Sequence, residues 1–516
     1  MKKNIQLTNR FQNTEPSIDS ISKTSPLSAQ IRQQESTPQR TKQMASSSTS
    51  STNGTTNRTD VRAVKLMVEP FQFLSYVEWD ISLGFNEHGT LKIKGLVAEK
   101  NRMRYLNMAS RETWVCVKAL DENDEEVILF QGILTKLNVD SMHEHHTMSI
   151  EVKTGTHLLD QRRHTRTFQP DNTAYYHVIN TCVKEVGGEF TMRERRDQET
   201  GRLTVQYEET NWSFINRLAH RLGVVVLPEF KTQGKRFHLG LNQNSQSQEI
   251  KSDNYQMESD LANPDSLIRY EHGIYHVRTR SIYELGQSVT LQGRKMVIIN
   301  VKSYLKGGEL VHTYTLGNLK STYERPLAHE AIKGVSMMAQ VTAVERDRLQ
   351  VSIFEDENKS QSGSRWFDYS TIYSSPDGTG LFFHPEVGDT VRVVFPNANE
   401  TSAYVANSVH LETHGGRTNP DHKSIKNKHN KEVILAPDFA KLTNNAGLDV
   451  ELNDAKGIMI NSNQGIFIET DGNLHISSDN AGVTIYGDRT VTIQQGSAQI
   501  NMKDGVDVAG GKINMN

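Results

Sequence analysis

From Leu448 to Met515 the chain repeats a short unit, two apolar residues around one polar residue and then a polar turn, at a step of about eight residues. The pairs are Val450/Leu452, Ile458/Ile460, Ile466/Ile468, Leu474/Ile476, Val483/Ile485, Val491/Ile493, Ile500/Met502, Val506/Val508 and Ile513/Met515. Alternation at period two marks a strand with one buried face, and the β-branched majority agrees with it. Each unit therefore reads as a strand. Gly447, Gly457, Gly465, Gly482 and Gly505 stand directly before the first apolar residue of a unit. There the chain is expected to turn a corner that a Cβ would obstruct.

Two inward side chains per strand cannot make a core, because a sheet must bury its apolar face against something. The economical solution is three copies wound into a triangular β-prism, with inward residues meeting around a threefold axis. Burying a Val, Ile or Leu is worth about 1.5–3 kcal/mol, so the summed gain exists only in the trimer. With strands spaced about 4.8 Å apart, the nine units per chain would build a rod on the order of 40 Å long. The alternative is a one-chain β-solenoid. Its coils normally run to about twenty residues or more, and calcium-binding repeats of the G-G-x-G-x-D type are absent.

The 516-residue length suggests about three or four domains. A net charge of −3 leaves no electrostatic footprint for nucleic acid or an anionic membrane. Cys116 and Cys182 are too few for a disulfide framework. No apolar run approaches a membrane span, and the N-terminus lacks a signal-peptide core. The chain reads as made in the cytoplasm, and as leaving the cell, if it does, by a route other than ordinary secretion.

Residues 1–60 are rich in Ser, Thr, Gln and Asn and read as a disordered tail, with Phe11 as the one aromatic that could tether it. The next segment, to about Glu151, is strand-like, and the acidic patch Asp121, Glu122, Asp124, Glu125, Glu126 reads as a hairpin turn. Two helices follow. One spans about Thr173 to Val186, turns Val178, Ile179, Cys182, Val183 and Val186 inward and stops at Gly187-Gly188. The other opens at Thr210-Asn211, carries Trp212, Ile215, Leu218 and Leu222 on one face and stops at Gly223. After a polar stretch around Asn242 to Asp265, strands resume at Ser288–Leu291, Lys295–Leu305 and Leu310–Leu316. A small all-β unit over about Gly334 to Leu411 suits a five-stranded barrel of the oligonucleotide/oligosaccharide-binding (OB) type. The connector from His414 to Lys431 holds Lys423, Lys426, Lys428 and Lys431, which read as solvation.

No catalytic, cofactor-binding or metal-ligating set stands out. His143-Glu144-His145-His146 lacks the spacing of a helix-borne H-E-x-x-H and adjoins a strand. Gly510-Gly511-Lys512 resembles a phosphate loop, but Ile513 stands where Ser or Thr is needed. Trp79, Trp114, Trp212 and Trp366 read as core. The expectation is a protein without enzymatic activity.

The order of parts resembles the VgrG spike proteins of contractile injection systems and the hub and spike of contractile phage tails. Val205-Gln206-Tyr207-Glu208-Glu209-Thr210-Asn211-Trp212-Ser213-Phe214-Ile215-Asn216-Arg217-Leu218 is similar to the family's Q-Y-x-E-[ST]-x-W-x-F-hydrophobic-x-R-L motif. His157 to Gln169 resembles the end of its first hub barrel, and Leu129 to Leu134 the strand before it. Gly380 to Asp389 with Val391-Arg392-Val393 resembles the F-x-P-x-x-G-x-x-V-x-V turn of its small barrel. The resemblance implies a mostly β fold: hub barrel 1 at 61–170, a helical and mixed hub region at 171–262, hub barrel 2 at 263–330, an OB-type barrel at 331–412, a linker at 413–432, and an intertwined triple-stranded β-helix at 433–516. It also implies a homotrimer that seats a hexameric inner tube on its hub, contacts baseplate proteins, meets a PAAR-like tip protein at its C-terminus, and carries effector cargo. Two departures accompany it. Pro396 to Ser402 is Asn-rich and lacks the family's G-D-x-x-x-P wording, and no lysozyme-like or toxin domain is expected. Read without the resemblance, a surface glycan-binding protein on a one-chain solenoid, or a polysaccharide lyase, remains open.

Overall fold

The computed structural model describes residues 65–120, 125–142, 145–242, 246–252, 254–258, 273–318, 327–410 and 418–512. The Ser/Thr-rich tail with Phe11, most of the acidic patch, His143 and Glu144, and the final pair Ile513 and Met515 lie outside the described residues.

Alternation builds the first sheet. In Thr90–Val97 the residues Leu91, Ile93 and Val97 are buried, while Lys92 and Lys94 face outward. Twelve strands join in one sheet, and the strands before and after the helices meet within it. Ser75–Gly84 pairs antiparallel with Arg294–Lys306, placing Ile81 opposite Ser303 and Leu83 opposite Val301. One core, including Ile93, Phe130, Ile150, Tyr314 and Leu316, lies against both halves. Leu120, just before the acidic patch, and Glu126, its last residue, are partners across neighbouring strands.

Among the described residues there are three α-helices: α1, Glu99–Met108; α2, Tyr175–Glu185; and α3, Asn211–Leu222. The first departs from the sequence reading, which saw only strands there. It buries Tyr105 alone, so its sequence carries almost no apolar period. Tyr105 meets Phe71 edge-on at 5.3 Å and accepts a hydrogen bond from the Gln72 backbone N–H. The other two match the reading closely. Val178, Ile179, Cys182 and Val183 of α2 pack with Trp212, Ile215, Leu218 and Leu222 of α3. Thr210 caps α3 by accepting from the Ser213 N–H, and Gly223 ends it at φ +69°. Trp79 and Trp212 are core, whereas Trp114 and Trp366 are only half-buried.

The small barrel is closed by five strands, Ser336–Glu345, Arg348–Ile353, Phe367–Ser370, Tyr404–Ser408 and Thr390–Val394. Its core includes Leu203 and Val205, contributed by the segment leading into α3. Barrel and helical region thus share apolar contacts.

The C-terminal region forms an antiparallel five-stranded sheet, Lys423–Lys426, Glu432–Leu435, Phe439–Thr443, Leu448–Asn453 and Gly457–Ser462. It begins inside the segment read as a connector: Lys423 pairs with Leu435, and Lys426 with Glu432. A three-stranded sheet, Val491–Gln495, Ala498–Met502 and Val506–Ala509, follows. Ile466/Ile468, Leu474/Ile476 and Val483/Ile485 lie between the two sheets, outside any strand. The expectation of a strand in every unit concerns three wound copies; in the single chain these three units are not strands. The corner glycines divide as well. Gly447 (φ +93°) and Gly457 (φ +80°) are left-handed, but Gly465, Gly482 and Gly505 are not. A Cβ at Gly482 or Gly505 would meet nothing within 4 Å, so no obstruction requires glycine there.

Candidate functional site: an uncovered apolar face and a buried charge joint

Cross-strand register decides which side chains of the C-terminal sheet share a face. Ile425 pairs with Val433, Val433 with Leu442, Leu442 with Val450, and Val450 with Ile460. Five apolar residues therefore form a row across five strands. A second row runs Leu435, Ala440, Leu452 and Ile458. Among the described residues both rows are largely uncovered: Leu442 is 57% exposed, Leu452 53%, Ile458 72% and Ile460 58%. The opposite face is more polar, with Ile434 and Met459 beside charged residues and Lys441 Nζ 3.5 Å from Asp449 and 3.3 Å from Glu451.

The later sheet repeats this arrangement. Val491 pairs with Met502, which pairs with Val506, and Ile493 pairs with Ile500, which pairs with Val508. Ile493, Ile500, Met502, Val506 and Val508 are exposed. Ile466, Ile468, Leu474, Ile476, Val483 and Ile485 between the sheets are exposed too. Within the two sheets the paired apolar residues share a face, and that face is open in the single chain. Folded monomers rarely leave contiguous apolar patches larger than roughly a few hundred Å² in water.

The hub motif proves to be a joint between helix and barrel. Arg217 holds Glu209 in a two-pronged contact, Nε to Oε1 at 2.9 Å and Nη2 to Oε2 at 2.6 Å, and also donates to the Val205 carbonyl. Its Nη1 donates to Glu400 Oε1 at 2.7 Å, and Arg221 binds the other Glu400 oxygen. Buried His329 places Nδ1 3.2 Å from the same carboxylate. Burial alone would raise the Glu400 carboxyl, but the His329 hydrogen bond and the charges of Arg217 and Arg221 outweigh it and hold it at about 2. Glu400 lies in the Asn-rich turn that departs from the family wording. Sequence reasoning missed it because no local pattern marks a carboxylate whose arginine partners lie 183 and 179 residues away.

A second joint stitches the strand Arg163–Phe168 to the barrel. Thr167 donates its N–H to Asp356 Oδ1 at 3.0 Å, and Asn358 Nδ2 donates to the Thr167 carbonyl at 3.1 Å. His164, Glu185 and Glu357 place ligand-type atoms within 4.8 Å of one another, a spacing that a metal ion could use. The guanidinium of Arg166 already sits among them, with Nη2 2.8 Å from His164 Nδ1 and paired to Glu185. It supplies the positive charge a cation would bring, so the trio acts as an ion-pair joint. Arg166 also donates to Gln206 and Asn211 of the motif, at 2.7 and 2.8 Å.

The remaining candidates are ordinary structure. His146 is a buried strand residue held by Ser141 at 2.9 Å. A cleft of about 240 Å³ near Arg193 has its carboxylates engaged, Glu229 by His238 at 3.1 Å and Glu284 by Lys231. Gly510 and Gly511 form a bend after the last described strand. No helix among the described residues is long and apolar enough to cross a membrane.

Residues 107–289 match the family model described as a phage tail baseplate hub. Residues 337–410 match the type VI secretion system/phage-baseplate injector OB domain. Among solved structures, the Francisella PdpA-VgrG complex shares the fold at a TM-score of 0.52 in each of two forms. The lidded form is 8% identical and the alignment covers 75% of this chain and 76% of that one; the half-lidded form is 9% identical, covering 79% and 88%. The E. coli c3393 protein, described as a type VI secretion component similar to the T4 tail proteins gp27 and gp5, aligns at 13% identity with a TM-score of 0.47, over 67% of this chain and all of its own. No curated protein sequence matches. The chain thus carries a region similar to the phage tail baseplate hub, followed by a domain of the type VI secretion system/phage-baseplate injector OB kind, and it shares its fold with the VgrG complexes.

Proposed function

We propose that three copies assemble into the central spike of a contractile injection system, and that the C-terminal repeat is its needle. The observation that carries this reading is the uncovered apolar face: cross-strand rows such as Ile425–Val433–Leu442–Val450–Ile460 have no cover in one chain. Threefold winding would cover them with their own counterparts and give Ile466 to Ile485 the strand neighbours that one chain lacks. Closed pairing between chains would also remove open sheet edges, which suits a rod loaded along its axis.

On the same reading the hub seats a hexameric inner tube and contacts baseplate proteins, a PAAR-like tip protein meets the needle's far end, and effector cargo travels with the particle as it is expelled. The Francisella structures hold VgrG together with PdpA, which supports a spike that works with a protein partner. The role is mechanical: the buried charge joints hold barrel to hub while the needle transmits force to a target membrane.

Molecular mass in solution is the test. The full chain is expected at close to threefold its 58.3 kDa; a well-folded monomer at micromolar concentration would overturn the reading.

A further inference from the structure

We propose that the hub contains a buried hydration site: one ordered water, hydrogen-bonded to His312 Nε2, in a small cavity at the seam of the large sheet. The site lies within one chain, so it stands or falls independently of the trimer.

Arg294–Lys306 and Glu309–Gly317 are neighbouring strands of that sheet, and their register sets Ser303 opposite His312. Both residues are 3% exposed, and His312 Nδ1 lies 2.7 Å from Ser303 Oγ. Burial lowers the His312 pKa to about 4 and keeps the ring neutral. A neutral imidazole has one donor nitrogen and one acceptor nitrogen. Whichever of the two carries the proton, Nε2 has a bond to make, and among the described residues it has no partner. Buried polar atoms are seldom left in that condition. The ring of Tyr314 stacks beside His312 at 5.8 Å, but its hydroxyl is engaged, donating to the Ser281 carbonyl at 2.9 Å and accepting from the Tyr283 N–H at 2.8 Å.

What adjoins His312 instead is a cavity of about 30 Å³. A water needs roughly 10–15 Å³ of such space and about two to four polar partners. The cavity supplies both. Its apolar wall joins the two halves of the sheet, with Leu83 from the first and Val301 from the second, and Phe230 closes it from the segment between them. Its polar lining, besides His312, is Ser303 and the Lys231–Glu284 ion pair. Ser303 Oγ keeps a second lone pair after its bond to the imidazole. Lys231 and Glu284 are partly exposed, and they also border the cleft near Arg193, which gives water a way in. The ligand this set takes is small, neutral and able both to donate and to accept, which is the chemistry of water. An anion or a cation would lose its hydration in a chamber walled mostly by aliphatic and aromatic side chains.

A high-resolution crystal structure of the full chain is the first test, and it is expected to show a water within about 3.2 Å of His312 Nε2. In solution, water relaxation dispersion counts long-lived internal waters. His312→Phe keeps an aromatic ring and removes its nitrogens, and it is expected to lose one such water per chain. Lys231→Met acts at the exposed mouth, where folding tolerates the change, and is expected to shorten the residence of the same water. A dry cavity, a protein group bonded directly to Nε2, or dispersion unchanged in both variants would overturn the site.

Discussion

Arg217 Nη1 donates to Glu400 Oε1 at 2.7 Å, joining helix α3 of the hub to the turn that leads into the last strand of the barrel. The bond is fully buried, and Glu400 also receives Arg221 and His329. One carboxylate thus ties two guanidinium groups together at the place where hub and barrel meet, with Glu209 the second partner of Arg217.

Removing that carboxylate strands the buried charge of Arg221 and leaves Arg217 to Glu209 alone. Glu400→Ala is expected to cost about 3–5 kcal/mol, the usual consequence of breaking a buried ion pair from one side. Thermal unfolding of the purified protein checks it. A loss below about 1 kcal/mol, typical of exposed pairs, would mean that water reaches the joint.

Acid should weaken the hub before it weakens the joint. Burial holds His312 and His88 at about 4, below the ordinary ~6.5 of an unfolded histidine. The folded state therefore favours their neutral forms. Their contribution is fully present above about pH 6.5 and lost as the pH falls through about 4. Glu400, held at about 2 against an ordinary ~4.3, loses its contribution between those values. Calorimetry should show the melting temperature falling steadily from pH 7 to 4, with His312→Gln flattening the slope. Parallel curves for parent and variant would rule His312 out as the source.

A charge on the open apolar face should act on assembly alone. In the proposed trimer, Ile460→Asp or Ile466→Asp would place three carboxylates around one axis without partners. Light scattering is expected to report a chain near 58.3 kDa in place of the trimer, with the circular dichroism of the hub retained. A variant that still runs at threefold mass would show that these residues do not face the axis.

The ends of α3 should carry ordinary capping energies. Thr210→Ala, which removes the acceptor for the Ser213 N–H, is expected to cost about 1 kcal/mol. Gly223→Ala, at φ +69°, should cost about 1–2 kcal/mol. Denaturant midpoints measure both, and a neutral Gly223→Ala would mean that the helix ends differently in solution.

Local features were legible because they depend on neighbours in sequence. The period of the repeat placed Val450, Leu452, Ile458 and Ile460 on one face, and the cap and stop of α3 were readable at Thr210 and Gly223. Helix α1 escaped because one residue, Tyr105, anchors it. Lys423–Lys426 escaped because a lysine-flanked strand looks like a solvated linker until Glu432–Leu435 pairs with it.

By itself, then, the sequence determined a mostly β chain with two amphipathic helices, a small barrel, and a C-terminal repeat that has apolar residues to bury and no core to bury them in. Period, capping and turn chemistry act over a few residues, and they are written locally. Only the tertiary structure decided that the two β-rich halves share one sheet, that Glu400 and Arg166 lock barrel to hub, and that the rows from Ile425 to Ile460 line up across strands. Those outcomes depend on register and on charges brought together over long chain separations, and no local pattern encodes such a pairing.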